Sequence, residues 1–134
     1  MVAYSFKQRF EIPIREGWKT QTIRRARDRH ARPGEMIQLY VGMRSAQCRK
    51  ICADVRCTDV LGVMIEFDPR DGGIDRITTD GVTVRDLDAF AMMDGFEDSD
   101  EMARFWREEH GPLGTFHGVI IEWAAPRAAR IKET

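Results

Sequence analysis

The chain has little cysteine, little histidine and no long apolar run. Its three cysteines, Cys48, Cys52 and Cys57, fall within ten residues, at spacings that match no CxxC zinc pattern. An odd number of cysteines without a secretion signal points to reduced thiols rather than a disulfide framework. Their expected place is as small apolar residues of a strand. His30, His110 and His117 are scattered, so no metal and no cofactor is expected. No stretch approaches the roughly 20 apolar residues that a membrane-crossing helix needs. The opening MVAYSFKQRF has no signal-peptide h-region. A cytoplasmic location with no membrane partner is the resulting expectation. No internal repeat, low-complexity tract or linker interrupts the 134 residues. One domain over 1–134 is expected, with a core over about 3–123 and a loosely held tail over 124–134. That length buries roughly two thirds of the unfolded surface, enough to fold without a metal or disulfide. No obligate protein partner is evident.

What is present begins with charge. With 43% hydrophobic and 32% charged residues the chain is an ordinary globular protein, which excludes intrinsic disorder. The net charge of −1 hides a division. Residues 1–58 hold 13 Lys/Arg and 5 Asp/Glu, a net of +8, and residues 59–134 hold 8 and 17, a net of −9. Such asymmetry is a hint of a polyanion-facing surface; the other reading is that the halves interleave and neutralise each other.

The elements alternate in a recognisable order. AYSF predicts a first strand, and RFEIPIREG a short helix with Pro13 in its first turn and Gly17 as its stop. WKTQTIRR and MIQLYVG predict strands, separated by the polar ARDRHARPGE loop. CRKICADVRCTDVLGVMIEF predicts one or two strands with a bend near residues 59–62. DRITTDGVTVR has a hairpin reversal at Asp80-Gly81. Asp86 is the N-cap expected for one helix, which Gly95 ends. Asp98 caps a second, with Glu101 completing a capping-box pattern. TFHGVIIEW is the last strand. Strands dominate and the helices cluster, so an α+β fold is expected, a small barrel or strongly curved sheet with helices at its side or end.

Four features carry candidate chemistry. Asp94 falls in line with Leu87, Phe90 and Ala91, and a carboxylate on that face is costly to bury unless paired. Either it partners a cation in a pocket, or it sits exposed at the frayed helix end. In the KTQTIRR run, Thr20, Thr22 and Arg24 face one way in a regular strand and Lys19, Gln21, Ile23 and Arg25 the other. Lys19 meets Thr22 only if it still lies in the loop after Gly17-Trp18. The nine residues 24–32 hold five arginines, whose guanidinium forks suit phosphate oxygens and stack on bases. Such a run is also a common solubilising loop, and the overall composition is too acidic for a high-affinity duplex binder. Trp18 and Tyr40 are candidates to stack on a flat base, with core packing as their alternative.

Taken in order, these pieces resemble the ASCH family. The resemblance rests on residues 10–24, which contain GWKTQTIR, the Pro33-Gly34 turn, IQLYVG at 37–42, DGF at 94–96 and GVIIEW at 118–123. It spans about residues 3–123, and the G-x-K-T-x-T-I-R segment is its most specific part. It implies a PUA-like β-barrel with flanking helices, acting on RNA or a modified pyrimidine nucleoside. Small bacterial relatives in that family are N4-acetylcytidine amidohydrolases. By that resemblance Lys19 is the base, Thr22 the nucleophile and Asp94 the acid, with Glu97 the other candidate acid. Arg24 and Arg25 then bind substrate, alongside Trp18 and Tyr40. The chain departs from those relatives in having aspartate, not glutamate, at residue 94, and a longer segment over about 43–85. Other members of the family are single-strand ribonucleases or RNA-binding modules, which the arginine run also suits.

Overall fold

The computed structural model describes residues 1–112 and 114–126. Much of the expected tail therefore lies outside the described residues, as does Leu113 in the HGPLG segment. The fold is α+β, and the described residues form eight strands and three helices besides a short 3-10 turn at Gln8–Phe10. The strands are β1 (Val2–Phe6), β2 (Gln21–Arg24), β3 (Met36–Val41), β4 (Arg49–Lys50), β5 (Val55–Phe67), β6 (Ile74–Thr79), β7 (Val82–Thr83) and β8 (Thr115–Trp123). The helices are α1 (Glu11–Glu16), α2 (Leu87–Met93) and α3 (Ser99–His110).

Local signals set the element ends. Gly17 closes α1 at φ 88°, a conformation glycine adopts without Cβ strain. The Asp86 carboxylate accepts from Ala89 N at 2.9 Å, and that of Asp98 accepts from Glu101 N at 2.8 Å. The capping box around Asp98 is not reciprocal. Glu101 Oε1 instead accepts from Glu97 N and from Arg9.

The 13-residue β5 organises the sheet. It pairs antiparallel with β8 over most of its length, with β6 near its C-terminal end and with β3 at Val55 and Arg56. The register against β8 shifts between Cys57 and Asp59, close to the bend expected from sequence. β1 adds to β3 in parallel, and β2 adds to β8. Alternation buries Ile37, Leu39 and Val41 on one face of β3 and Ile65 on β5, against Ile14, Phe90 and Met102 from the helices. Each such side chain contributes roughly 1.5–3 kcal/mol by leaving water.

The sheet is not a closed barrel, which corrects the expectation of closure. Among the described residues, β1 pairs with β3 alone and β2 with β8 alone. A seam is left between β1 and β2, where each strand has an unpaired edge. What crosses it is a side chain: Arg24 Nη2 donates to Ser5 O at 2.7 Å. Among the described residues, no helix is long and apolar enough to cross a membrane.

Candidate functional site

A pocket of about 260 Å³ opens along the seam. Ser5, Phe6 and Lys7 from the end of β1 line one side, and Lys19, Thr22, Ile23 and Arg24 the other. Asp94 and Phe96, just after α2, and Phe105, Trp106, Glu109 and His110 of α3 complete the lining with Phe10. Its volume lies just below the roughly 300–1,000 Å³ typical of small-molecule sites. That suits one ring system with a small substituent better than several stacked bases.

Lys19 is brought here by the chain preceding β2. Trp18 N and Lys19 N both donate to Pro13 O, and Thr20 N donates to Met93 O. Those bonds hold residues 18–20 off the regular strand, so β2 is shorter than WKTQTIRR predicts and Lys19 escapes its alternation. Lys19 is 2% exposed. Its Nζ donates to Gln21 O at 2.8 Å and to Asp94 O at 2.6 Å, and lies 3.7 Å from Asp94 Oδ1. It also stands 4.7 Å from the Phe10 ring centroid and 5.5 Å from that of Phe6.

Asp94 is the C-cap of α2 and is 5% exposed. This settles its placement in favour of the pocket over a frayed, solvated end. Burial raises the Asp94 pKa, against the lowering effect of Lys19. Burial also lowers the Lys19 pKa from 10.5 to about 8, against the raising effect of Asp94. Desolvation outweighs mutual attraction in both partners, as a separation of 3.7 Å without a direct hydrogen bond would produce. Asp94 Oδ1 and Gln21 Nε2 are both buried without a hydrogen-bond partner. The Gln21 amide nonetheless acts to lower the Asp94 pKa.

Thr22 and Arg24 share a face of β2, as strand alternation requires. Arg24 Nε donates to Thr22 Oγ1 at 3.0 Å. A guanidinium donating to a hydroxyl oxygen favours the alkoxide that a nucleophile must approach. The Arg24 guanidinium also stacks over Tyr4 and Phe6, with centroids 5.3 and 5.0 Å away.

Four of the expected residues therefore meet: Lys19, Thr22, Arg24 and Asp94. Three do not line the pocket. Trp18 is 38% exposed and donates from Nε1 to Glu16, because its loop turns it outward. Tyr40 alternates with the buried Ile37, Leu39 and Val41 of β3 and so points to the opposite face. Arg25 lies past the end of β2, exposed over the Phe116 ring. Glu97 is exposed, which leaves Asp94 as the buried acid. The aromatic walls Phe6, Phe10, Phe96, Phe105 and Trp106 were not read from sequence. Phe96, directly after Asp94-Gly95, was the most accessible clue. The three cysteines are free thiols. Among the described residues, no group of three or more His, Cys, Asp or Glu is placed to hold a metal. No protein-family model, curated protein or solved structure matches the chain.

Proposed function

We propose that this chain is an ASCH-domain protein of PUA-like type that binds a modified pyrimidine nucleoside and hydrolyses the amide of N4-acylated cytidine. The observation that carries the reading is the convergence of Lys19, Thr22, Arg24 and Asp94 on one aromatic-walled pocket, two of them a buried lysine and carboxylate. The resemblance of GWKTQTIR to the family supplies the reaction class.

In this scheme the pyrimidine lies between the aromatic walls with its acyl group toward Thr22. Neutral Lys19 takes the Thr22 proton as Oγ1 attacks the acyl carbonyl. Arg24, already donating to Oγ1, stabilises the developing oxyanion together with backbone N–H groups. Lys19 then passes the proton to N4 as the C–N bond breaks, releasing cytidine and leaving an ester on Thr22. Water, deprotonated by Lys19, attacks that ester, Lys19 returns the proton to the departing Thr22 Oγ1, and the acid is released. Lys19 and Thr22 share no hydrogen bond in this structure; such bonds commonly tighten only in the substrate complex.

Turnover of N4-acetylcytidine by the parent and by Thr22→Val tests the proposal. The parent is expected to release cytidine and acetate, and Thr22→Val to be slower on the order of 10³-fold or more. No turnover by the parent would sink the reading. Full activity in Thr22→Val would remove Thr22 as nucleophile.

The rate should also follow the charge of Lys19. With the base active when neutral, kcat/KM is expected to rise with pH and level off through a midpoint near 8. The Asp94 carboxylate raises the Lys19 pKa, so Asp94→Asn should move that midpoint below 8. A pH–rate profile of both proteins checks the sign, and an upward shift would contradict the pairing.

A further inference from the structure

A second groove, of about 840 Å³, continues the seam beyond Ser5, Phe6 and Arg24. It runs between β1 and the turn after β3, and Arg27 and Arg44 line it. No carboxylate lines it among the described residues. Arg24, Arg27 and Arg44 have no ion-pair partner among the described residues, whereas neighbouring Arg29 is paired with Glu35. Two of these guanidiniums are held in place by the same ring. Arg27 stands 4.9 Å and Arg24 5.3 Å from the Tyr4 centroid. Tyr4 is itself fixed, since its hydroxyl accepts from Ala31 N at 3.0 Å and lies 2.9 Å from His30 Nδ1. Arg44 rides on a tight turn in which Ser45 N donates to Gly42 O at 2.9 Å, and Met43 N ties that turn to Ser5 Oγ at 3.0 Å. Arg24 keeps Nη1 beside its bonds to Thr22 and Ser5, Arg27 keeps its Nη groups beside an Nε bond to Arg29 O, and the Arg44 side chain makes no hydrogen bond among the described residues; these remaining N–H groups suit phosphate oxygens.

We infer that this groove binds a phosphate carried on the sugar of the base seated in the adjoining pocket. The preferred substrate is then a cytidine nucleotide, either free or within a strand, and not the bare nucleoside. This rests on the nucleoside reading of the pocket. Arg24 is the shared wall, touching Thr22 on the pocket side and lining the groove on the other. Base and phosphate would be held at a fixed spacing by one side chain.

The test compares N4-acetylcytidine, its 5′-monophosphate and a short single-stranded oligonucleotide containing it, using the parent and Arg27→Gln/Arg44→Gln. Both substituted residues are exposed, so folding should survive. The parent's kcat/KM is expected to be at least about 10-fold higher for a phosphate-bearing substrate, as charge-assisted hydrogen bonds allow. In the double variant the ratio of phosphorylated to bare substrate should fall toward one. Preference for the monophosphate assigns a free nucleotide; preference for the oligonucleotide alone, weakening steeply with salt, assigns a strand. Equal use of all three by the parent overturns the inference while leaving the hydrolase intact. Calorimetry with cytidine and cytidine 5′-monophosphate separates the remaining case. If no substrate is hydrolysed but the monophosphate binds more tightly than cytidine, and only in the parent, the groove stands and the hydrolase falls. Equal binding of the two overturns the groove.

Discussion

Lys19→Met is expected to reduce turnover of N4-acetylcytidine by roughly 10²–10⁴-fold, the usual contribution of a positioned base. It should also destabilise the fold by about 3–5 kcal/mol, as when one member of a buried ion pair is removed. Methionine fills similar space between Phe6 and Phe10 but offers no donor. Gln21 O and Asp94 O would lose the Nζ donor they share, and Asp94 would keep a buried carboxylate without its cation. That carboxyl can lower the cost by taking a proton. Its folded pKa is already raised above 3.8 by burial, and removing Lys19 removes an influence that lowers it. The folded state then holds a proton that the unfolded chain releases, so stability falls as pH climbs above 3.8 through the raised folded value. Denaturant melts at pH 5 and pH 8 should therefore show the variant further below the parent at pH 8. Adding Asp94→Asn should restore part of the stability and none of the turnover. A variant as active as the parent would remove Lys19 as the base. A variant no further below the parent at pH 8 than at pH 5 would mean that Asp94 takes up no extra proton when Lys19 is removed.

The parts of this molecule that were legible in its sequence are those written by neighbouring residues. Gly17 ends α1, Asp86 and Asp98 cap the later helices, and Asp80 and Gly81 turn the β6–β7 hairpin at φ 46° and 82°. Each needs a particular backbone conformation or side-chain acceptor within a few positions. The seam was not legible. It depends on β1 joining β3 in parallel while β2 joins β8, pairings between distant segments that no local pattern fixes. The pocket walls follow from the seam, and so were also unread. Strand alternation placed Thr22 and Arg24 correctly together, yet the same period turns Tyr40 away from the site. Trp18 failed for another reason: hydrogen bonds to Pro13 O take it out of any strand. Asp94 shows the limit most clearly. Its helical position named it as an anomaly, but its burial is decided by Lys19, 75 residues earlier in the chain.

Gly95→Ala is expected to damage both stability and activity, for a reason reaching beyond the end of α2. Gly95 has φ 100°, and a Cβ there would lie 2.7 Å from Lys19 Cδ and 2.9 Å from Phe10 Cδ1. Neither neighbour yields easily. The Lys19 stem is fixed at its tip by two carbonyls, and the Phe10 ring packs edge-on against Phe6, Phe96 and Phe105. Left-handed strain of about 1–2 kcal/mol adds to overpacking of about 1–3 kcal/mol. The methyl group should also push Nζ from its place, and a displacement of about 1 Å in a preorganised site can cost roughly 10²-fold in rate. Gly81→Ala supplies the control. Gly81 has φ 82° but nothing within 4 Å of an added Cβ, and it does not line the pocket. It should show the backbone strain alone, with turnover retained. Denaturation curves and kcat for the two variants separate strain from crowding. Equal losses in both would mean that glycine at 95 serves only the turn. A larger loss in Gly95→Ala, concentrated in kcat, would show that the missing side chain is the space Lys19 occupies.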